Sequence, residues 1–377
     1  MAKTLYRPTP VSASAPKALA IYAGPAAKVL LQREGLQARH VAAIPAAAGG
    51  PKGLMLTRLD QFLFGEWLPQ ADQAIDLIGA SIGAWRMATA CMLDSKAGFQ
   101  RLECDYVRQR YDIPPGKRMP SSTSVSEAFA HSLHAFYDGH VNEVLAHPRY
   151  RLHVMTSHGL HILNKQGSLR TPLGYACAFF ANAVSRKALG ACIERVVFTA
   201  SERGHVLPSL PFAHNDLSTR QYRLDANNFF QALQASCSIP FALDAVHNIP
   251  GGPTGAYWDG GITDYHLHLH YKTAPNQVVL YPHFQRAVVP GWLDKTLTHR
   301  HGATSALDSM VVIAPRPEWV RTLPSGKLPD RHDFMTYKDD FAGRVKVWQQ
   351  AVDESQRLVD ELTMWLDNPD MNLVQSL

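Results

Sequence analysis

Apolar positions alternate between two patterns along the first hundred residues. Val41-Ala42-Ala43-Ile44 is a short continuous apolar run, and it leads into Ala48-Gly49-Gly50-Pro51-Lys52-Gly53. Leu54, Leu56, Leu59, Phe62 and Leu63 follow, falling near one face of a helix. The order is strand, glycine loop, helix. It is repeated at once: Ile75-Asp76-Leu77-Ile78 reads as a strand, 79–83 as a tight turn and 84–93 as a helix. Two such units in succession predict a mainly parallel sheet with helices on its faces, an α/β sandwich of three layers.

Further strands are expected at Arg151-Leu152-His153-Val154-Met155, Arg195-Val196-Val197-Phe198-Thr199, Gln277-Val278-Val279-Leu280-Tyr281 and Met310-Val311-Val312-Ile313. The more polar stretch of about 94–150 reads as a helical insertion, in which Ser124 and Glu127 have capping-box spacing. Val345, Trp348, Val352, Val359, Leu362 and Leu366 mark one apolar face of a long C-terminal helix, about 340–366, docked on the core. Residues 1–17, rich in Pro, Ser and Ala, read as a flexible arm. The expected organisation is that arm followed by a single α/β domain over 18–377.

Composition narrows the class of protein. With 377 residues, 46% of them hydrophobic and 18% charged, the chain can bury a large core. A net charge of +5 suits transient contact with an anionic membrane surface but is too small to indicate nucleic acid. The five cysteines are scattered and unpaired in spacing, which fits a reducing compartment. The apolar segment 18–31 is broken by Gly24, Pro25 and Lys28 and is too short to span a membrane, so a cytoplasmic protein is expected.

The chemistry starts at Gly79-Ala80-Ser81-Ile82-Gly83. Small residues on both sides let a strand turn sharply into a helix and push a serine out above the sheet, at a helix N-terminus that favours developing negative charge. By itself the pattern suggests a Ser-His-Asp triad on an α/β-hydrolase scaffold. Only one or two strands fit before Ser81, however, whereas that scaffold places several there. Upstream, Gly49 and Gly50 offer bare N–H groups for an oxyanion, and Lys52 beside them reads either as a contact for an anionic headgroup or as a solvated surface lysine. Downstream, Asp259 in Tyr257-Trp258-Asp259-Gly260-Gly261 is a carboxylate on a tight turn behind two aromatics that would raise its pKa.

Taken in order, these pieces resemble the patatin-like phospholipase family. That family carries a glycine-rich oxyanion loop, then GxSxG, then an Ala-Ser-x-x-Ile-Pro stretch, here Ala235-Ser236-Cys237-Ser238-Ile239-Pro240, and finally an Asp-Gly-Gly turn. The resemblance covers residues 40–265. Ala48 stands where the family has its first loop glycine, and Ile262-Thr263-Asp264-Tyr265-His266 departs from the usual continuation after the aspartate. It implies a lipid acyl hydrolase, active in lipid degradation, with Ser81 as nucleophile, Asp259 as its base and Gly49 and Gly50 as oxyanion donors, and with neither cofactor nor metal. The alternatives are a Ser-His-Asp esterase or thioesterase, and a non-catalytic binding protein on the same fold. His266, His268 and His270 would share one face of a strand, which reads as strand polarity rather than a metal site. The sequence leaves the acyl chain, the headgroup and the oligomeric state open.

Overall fold

A computed structural model describes residues 16–111, 120–201 and 206–377. The arm expected at 1–17 lies outside them apart from Pro16 and Lys17. Among the described residues, strands β1 (Leu19–Ala23), β2 (Val41–Ala46), β3 (Ile75–Ala80), β4 (Tyr150–Gly159), β5 (Ile193–Ala200), β6 (Thr219–Leu224), β7 (Val246–His247), β8 (Ala256–Asp259), β9 (Val278–Pro282), β10 (Met310–Pro315) and β11 (Val374–Ser376) form one sheet. Its order is β11-β1-β10-β9-β2-β3-β4-β5-β6, with β8 on β4 and β7 on β8. Pairing is mostly parallel, and helices cover both faces in a three-layer α/β/α sandwich. Central strands bear this out in their burial: β5 is buried at all eight positions and β4 at nine of ten, as expected where both faces are covered.

The strand β4 is the one that builds the site. Its first half pairs in parallel with β3, ending at Ala80 opposite Met155. Its second half pairs antiparallel with β8, beginning at Asp259 opposite Thr156. Along the same edge of β4, therefore, β3 and β8 run towards each other and meet head on. One delivers Ser81 and the other Asp259 at neighbouring register positions.

Several expectations are corrected. Three strands precede Ser81 rather than one or two, because the broken apolar segment 18–31 contains β1. Gly24 then caps the helix Pro25–Glu34, with Pro25 at its first position, where a missing N–H costs nothing. In the insertion, the helix Ser122–Tyr137 is capped by Ser121, whose Oγ accepts the Ser124 N–H at 3.1 Å; Ser124 lies inside the first turn instead of capping it. The long C-terminal helix is two helices, Phe341–Glu354 and Gln356–Asp367. They part at the buried Ser355, whose Oγ donates to the Val352 carbonyl at 2.6 Å. Their apolar face is docked as expected: Trp348, Val352, Leu358, Leu362 and Trp365 are buried. Residues 266–270 are not a strand. Leu267 has φ +52°, so the alternation is lost; His266 and His268 turn their Nδ1 atoms to the carbonyls of Ala287 and Val288, and His270 is exposed.

Candidate active site

Ser81 occupies the step between β3 and the helix Ile82–Ala90, with φ +57° and ψ −129°. A non-glycine residue held there is strained, and it persists because its surroundings leave no alternative. The glycine at position 83 explains part of this. A Cβ on Gly83 would lie 1.9 Å from the Ala46 carbonyl oxygen at the end of β2, so only glycine lets the helix start pack so close to the neighbouring strand. The Ser81 N–H donates to Ser236 Oγ at 3.0 Å, and Ser236 in turn donates to the Met155 carbonyl at 2.7 Å. The turn is thereby pinned to β4 through a buried hydroxyl.

The Ser81 hydroxyl donates to Asp259 Oδ2 at 2.7 Å. The other carboxylate oxygen, Oδ1, accepts the Gly261 N–H at 2.7 Å. The backbone around Asp259 is held just as firmly: its N–H donates to the Ser238 carbonyl, the Gly260 N–H donates to the Ser236 carbonyl, and Ser157 Oγ on β4 donates to the Asp259 carbonyl. The stretch 235–240 thus touches both members of the pair. Ser81 and Asp259 are each buried. Desolvation pushes the Asp259 carboxyl up to about 6, against the opposing pull of the Ser81 hydroxyl, the Arg331 charge and the Gly261 N–H. A carboxylate with that pKa is ionised at neutral pH yet basic enough to accept a proton in a reaction. Among the described residues, no histidine hydrogen-bonds to Ser81 or Asp259.

Gly49 and Gly50 border the two cavities that meet at Ser81. Gly50 has φ +58°, a conformation that suits glycine, and begins the 3-10 turn Gly50–Leu56. The loop and the serine turn cannot drift apart, because the helices behind them are bolted together. Arg86, on the helix after Ser81, makes a buried two-pronged ion pair with Asp60, on the helix Thr57–Phe62 after the glycine loop, both contacts at 2.7 Å.

The larger cavity, about 510 Å³, is lined by Ile82, Trp85, Phe129, Leu243 and Phe334 and is mainly apolar, with Arg110, Arg331, Lys338 and Arg344 also on its wall. The smaller, about 360 Å³, contains Asp259 and also Lys52, Lys295 and Arg331. Lys52 lies 5.2 Å from the centre of the Phe284 ring, and Lys295 is 5.2 Å from that of Tyr265. Desolvation holds both amines below their ordinary pKa, and for Lys295 repulsion from Lys52 and Arg331 adds to it. Asp330 also borders this cavity but is paired with Lys327 at 2.8 Å.

All five residues singled out in the sequence (Gly49, Gly50, Lys52, Ser81 and Asp259) therefore line one connected space. Three residues were not singled out. Ser236 had a visible signal, since it lies in the Ala-Ser-x-x-Ile-Pro stretch. Arg331 and Lys295 had none, coming from irregular segments without a motif. Five free cysteines are present, and Cys237, beside Ser81 in the apolar cavity, has its thiol pKa pushed well up by burial. Comparison with models of known protein families finds no match for the chain, and comparison with curated proteins finds none either.

Proposed function

We propose that this chain is a serine acyl-ester hydrolase of the patatin-like kind, acting on phospholipid or glycerolipid esters through a Ser81–Asp259 dyad. The observation that carries the reading is the 2.7 Å hydrogen bond from Ser81 Oγ to a buried carboxylate whose pKa is near 6. As Ser81 Oγ attacks the ester carbonyl carbon, its proton passes to Asp259. The carbonyl oxygen, now an oxyanion, takes the N–H groups of Gly49 and Gly50. Collapse of the tetrahedral intermediate breaks the ester C–O bond, and the leaving alkoxide recovers the proton from Asp259. Water, deprotonated by Asp259, then attacks the acyl carbonyl; collapse breaks the bond to Ser81 Oγ, Asp259 returns the proton to that oxygen, and the carboxylic acid leaves.

The two cavities support a division of the substrate. The apolar chamber suits an acyl chain. The smaller, more polar chamber, with Lys52 and Lys295, suits a polar leaving group, and cations border both chambers, Arg331 being shared by the two. The test is a chain-length series of p-nitrophenyl esters with wild type, Ser81→Ala, Asp259→Asn and His332→Ala, which removes the histidine that borders the smaller cavity, accompanied by fluorophosphonate labelling. The dyad predicts labelling at Ser81, loss of turnover in the first two variants and its retention in the third. Equal turnover by wild type, Ser81→Ala and Asp259→Asn would sink the reading, and loss in His332→Ala would return a triad.

A further inference from the structure

The helix Arg170–Val184 hides one face and shows another. Thr171, Gly174, Tyr175, Ala178 and Asn182 are buried against the body of the protein. Towards solvent stand Leu169 at 83% exposure, Leu173 at 57%, Phe180 at 69% and Val184 at 80%. Their spacing of four, seven and four residues places them within one narrow stripe of the helix, and the exposed positions between them are Pro172, Ala176, Cys177 and Ala183. Beyond Arg170, the outward face holds no polar side chain for its whole length of about 22 Å. Soluble surfaces do not ordinarily carry a run of large apolar side chains of this kind uncovered.

The charge along this segment indicates what covers the stripe; Arg186 is paired with Asp216 and Asp294, and Asp244 bonds Gln166, which leaves Lys165, Arg170 and Lys187 as the exposed charges of the segment. Between Leu160 and Ile193 there is no aspartate or glutamate, and the charged residues are Lys165, Arg170, Arg186 and Lys187. Lys165 and Arg170 are exposed at one end of the helix and Lys187 at the other. A second copy of the chain is a poor occupant. Both ends of the stripe are cationic, so pairing two copies sets like charges against each other. One helix face also falls short of the roughly 20–30 residues a stable protein interface uses on each side. An apolar stripe flanked by lysine and arginine is instead the pattern of a helix that lies in the interface of an anionic bilayer.

The helix that carries the stripe also packs against the wall of the apolar cavity. Tyr175, on the inner face of the helix, packs edge-on against Phe241, with ring centres 5.8 Å apart, and against Trp258, the neighbour of Asp259, at 5.7 Å. Phe241 is 59% exposed and borders the apolar cavity that reaches Ser81. We infer that the solvent face of the Arg170–Val184 helix is a docking surface for anionic lipid bilayers, seating the protein with the mouth of its apolar cavity at the lipid surface. The inference extends the proposed lipid-ester activity but does not need Ser81 to be reactive.

The experiment uses full-length protein carrying Ser81→Ala, so that no lipid is consumed, in flotation with vesicles of phosphatidylcholine alone or mixed with phosphatidylglycerol. Binding is expected to the mixed vesicles, to weaken with salt and to fall by about tenfold or more in Leu173→Asp/Phe180→Asp. Lys165→Gln/Lys187→Gln should lose the preference for anionic vesicles. With Ser81 restored, the Asp double variant should hydrolyse a soluble short-chain ester as wild type does, which separates failure of docking from failure of the dyad. A milder pair, Leu169→Ser/Val184→Ser, should also weaken binding, guarding against misfolding of the first. The inference is overturned if the Ser81→Ala protein ignores anionic vesicles, if the apolar variants bind equally well, or if sedimentation shows a dimer that the Asp variant dissolves.

Discussion

Replacing Asp259 by asparagine should separate catalysis from stability, moving them in opposite directions. The carboxyl is held at about 6 in the folded protein against 3.8 when unperturbed, because burial penalises its charge. At about 1.4 kcal/mol for each tenfold change in proton affinity, that difference corresponds to about 3 kcal/mol. The sign follows from proton binding. Between about pH 4 and pH 6 the folded chain keeps a proton that the unfolded chain has released, so wild type loses stability as pH rises through that window. Asparagine has the same shape, still accepts the Gly261 N–H through its oxygen and does not titrate. The stability of Asp259→Asn relative to wild type should therefore climb by up to about 3 kcal/mol from pH 4 to pH 7 and then level off. Meanwhile its turnover should drop by about 100- to 10,000-fold, the usual cost of losing a general base. Urea unfolding of both proteins at several pH values supplies the first quantity, with the slope m compared to confirm that the same surface is exposed. Parallel stability curves across the whole range would show that burial does not raise the Asp259 pKa, and the account of its basicity would fall.

The same geometry sets other outcomes. Arg331→Gln removes a charge that lowers the Asp259 pKa, so the acid limb of kcat/KM for a neutral ester should move to higher pH; a limb that stays put would exclude Arg331 from the electrostatics of the base. Ser236→Ala leaves the buried Ser81 N–H without its acceptor, at a cost of about 1–3 kcal/mol in thermal or urea unfolding, and should lower kcat more than it changes KM. Arg86→Met strands the buried Asp60 carboxylate, which should destabilise the protein by about 3–5 kcal/mol and loosen the register between the glycine loop and Ser81, read as a fall in kcat on soluble esters.

How much of this was legible in the sequence depends on how local each signal is. Ser81 and its turn are set by five consecutive residues between a strand and a helix, so the local pattern was enough. β2, β3, β5 and β10 are apolar runs flanked by turns and were visible for the same reason. β8 was not: four residues, all buried, show no alternation, and only its pairing with β4 makes it a strand. β1 was hidden because Leu19, Ala20 and Ala23 run on into an alanine-containing helix, and only Gly24 and Pro25 mark the join. The histidines at 266–270 had the period of a strand, but tertiary contacts with the segment 287–289 bent the chain out of it. Lys295 and Arg331 reach the site from segments whose course is fixed by packing with distant parts of the chain, and no window of sequence contains that information.

The head-on meeting of β3 and β8 also determines what the protein tolerates over time. Ser81 and Asp259 are 178 residues apart in the chain, and each is placed by its rung on β4 together with the stretch 235–240, which holds the Ser81, Asp259 and Gly260 N–H groups. Insertions or deletions in the connecting loops and helices away from 235–240 leave the rungs unchanged. A slip of β8 by a single residue would carry Asp259 about 3.3 Å along the edge and turn its side chain to the opposite face of the sheet. Connecting segments that touch neither the rungs nor 235–240 can thus be lengthened or traded, while the Ser81–Asp259 pair stays a property of strand register.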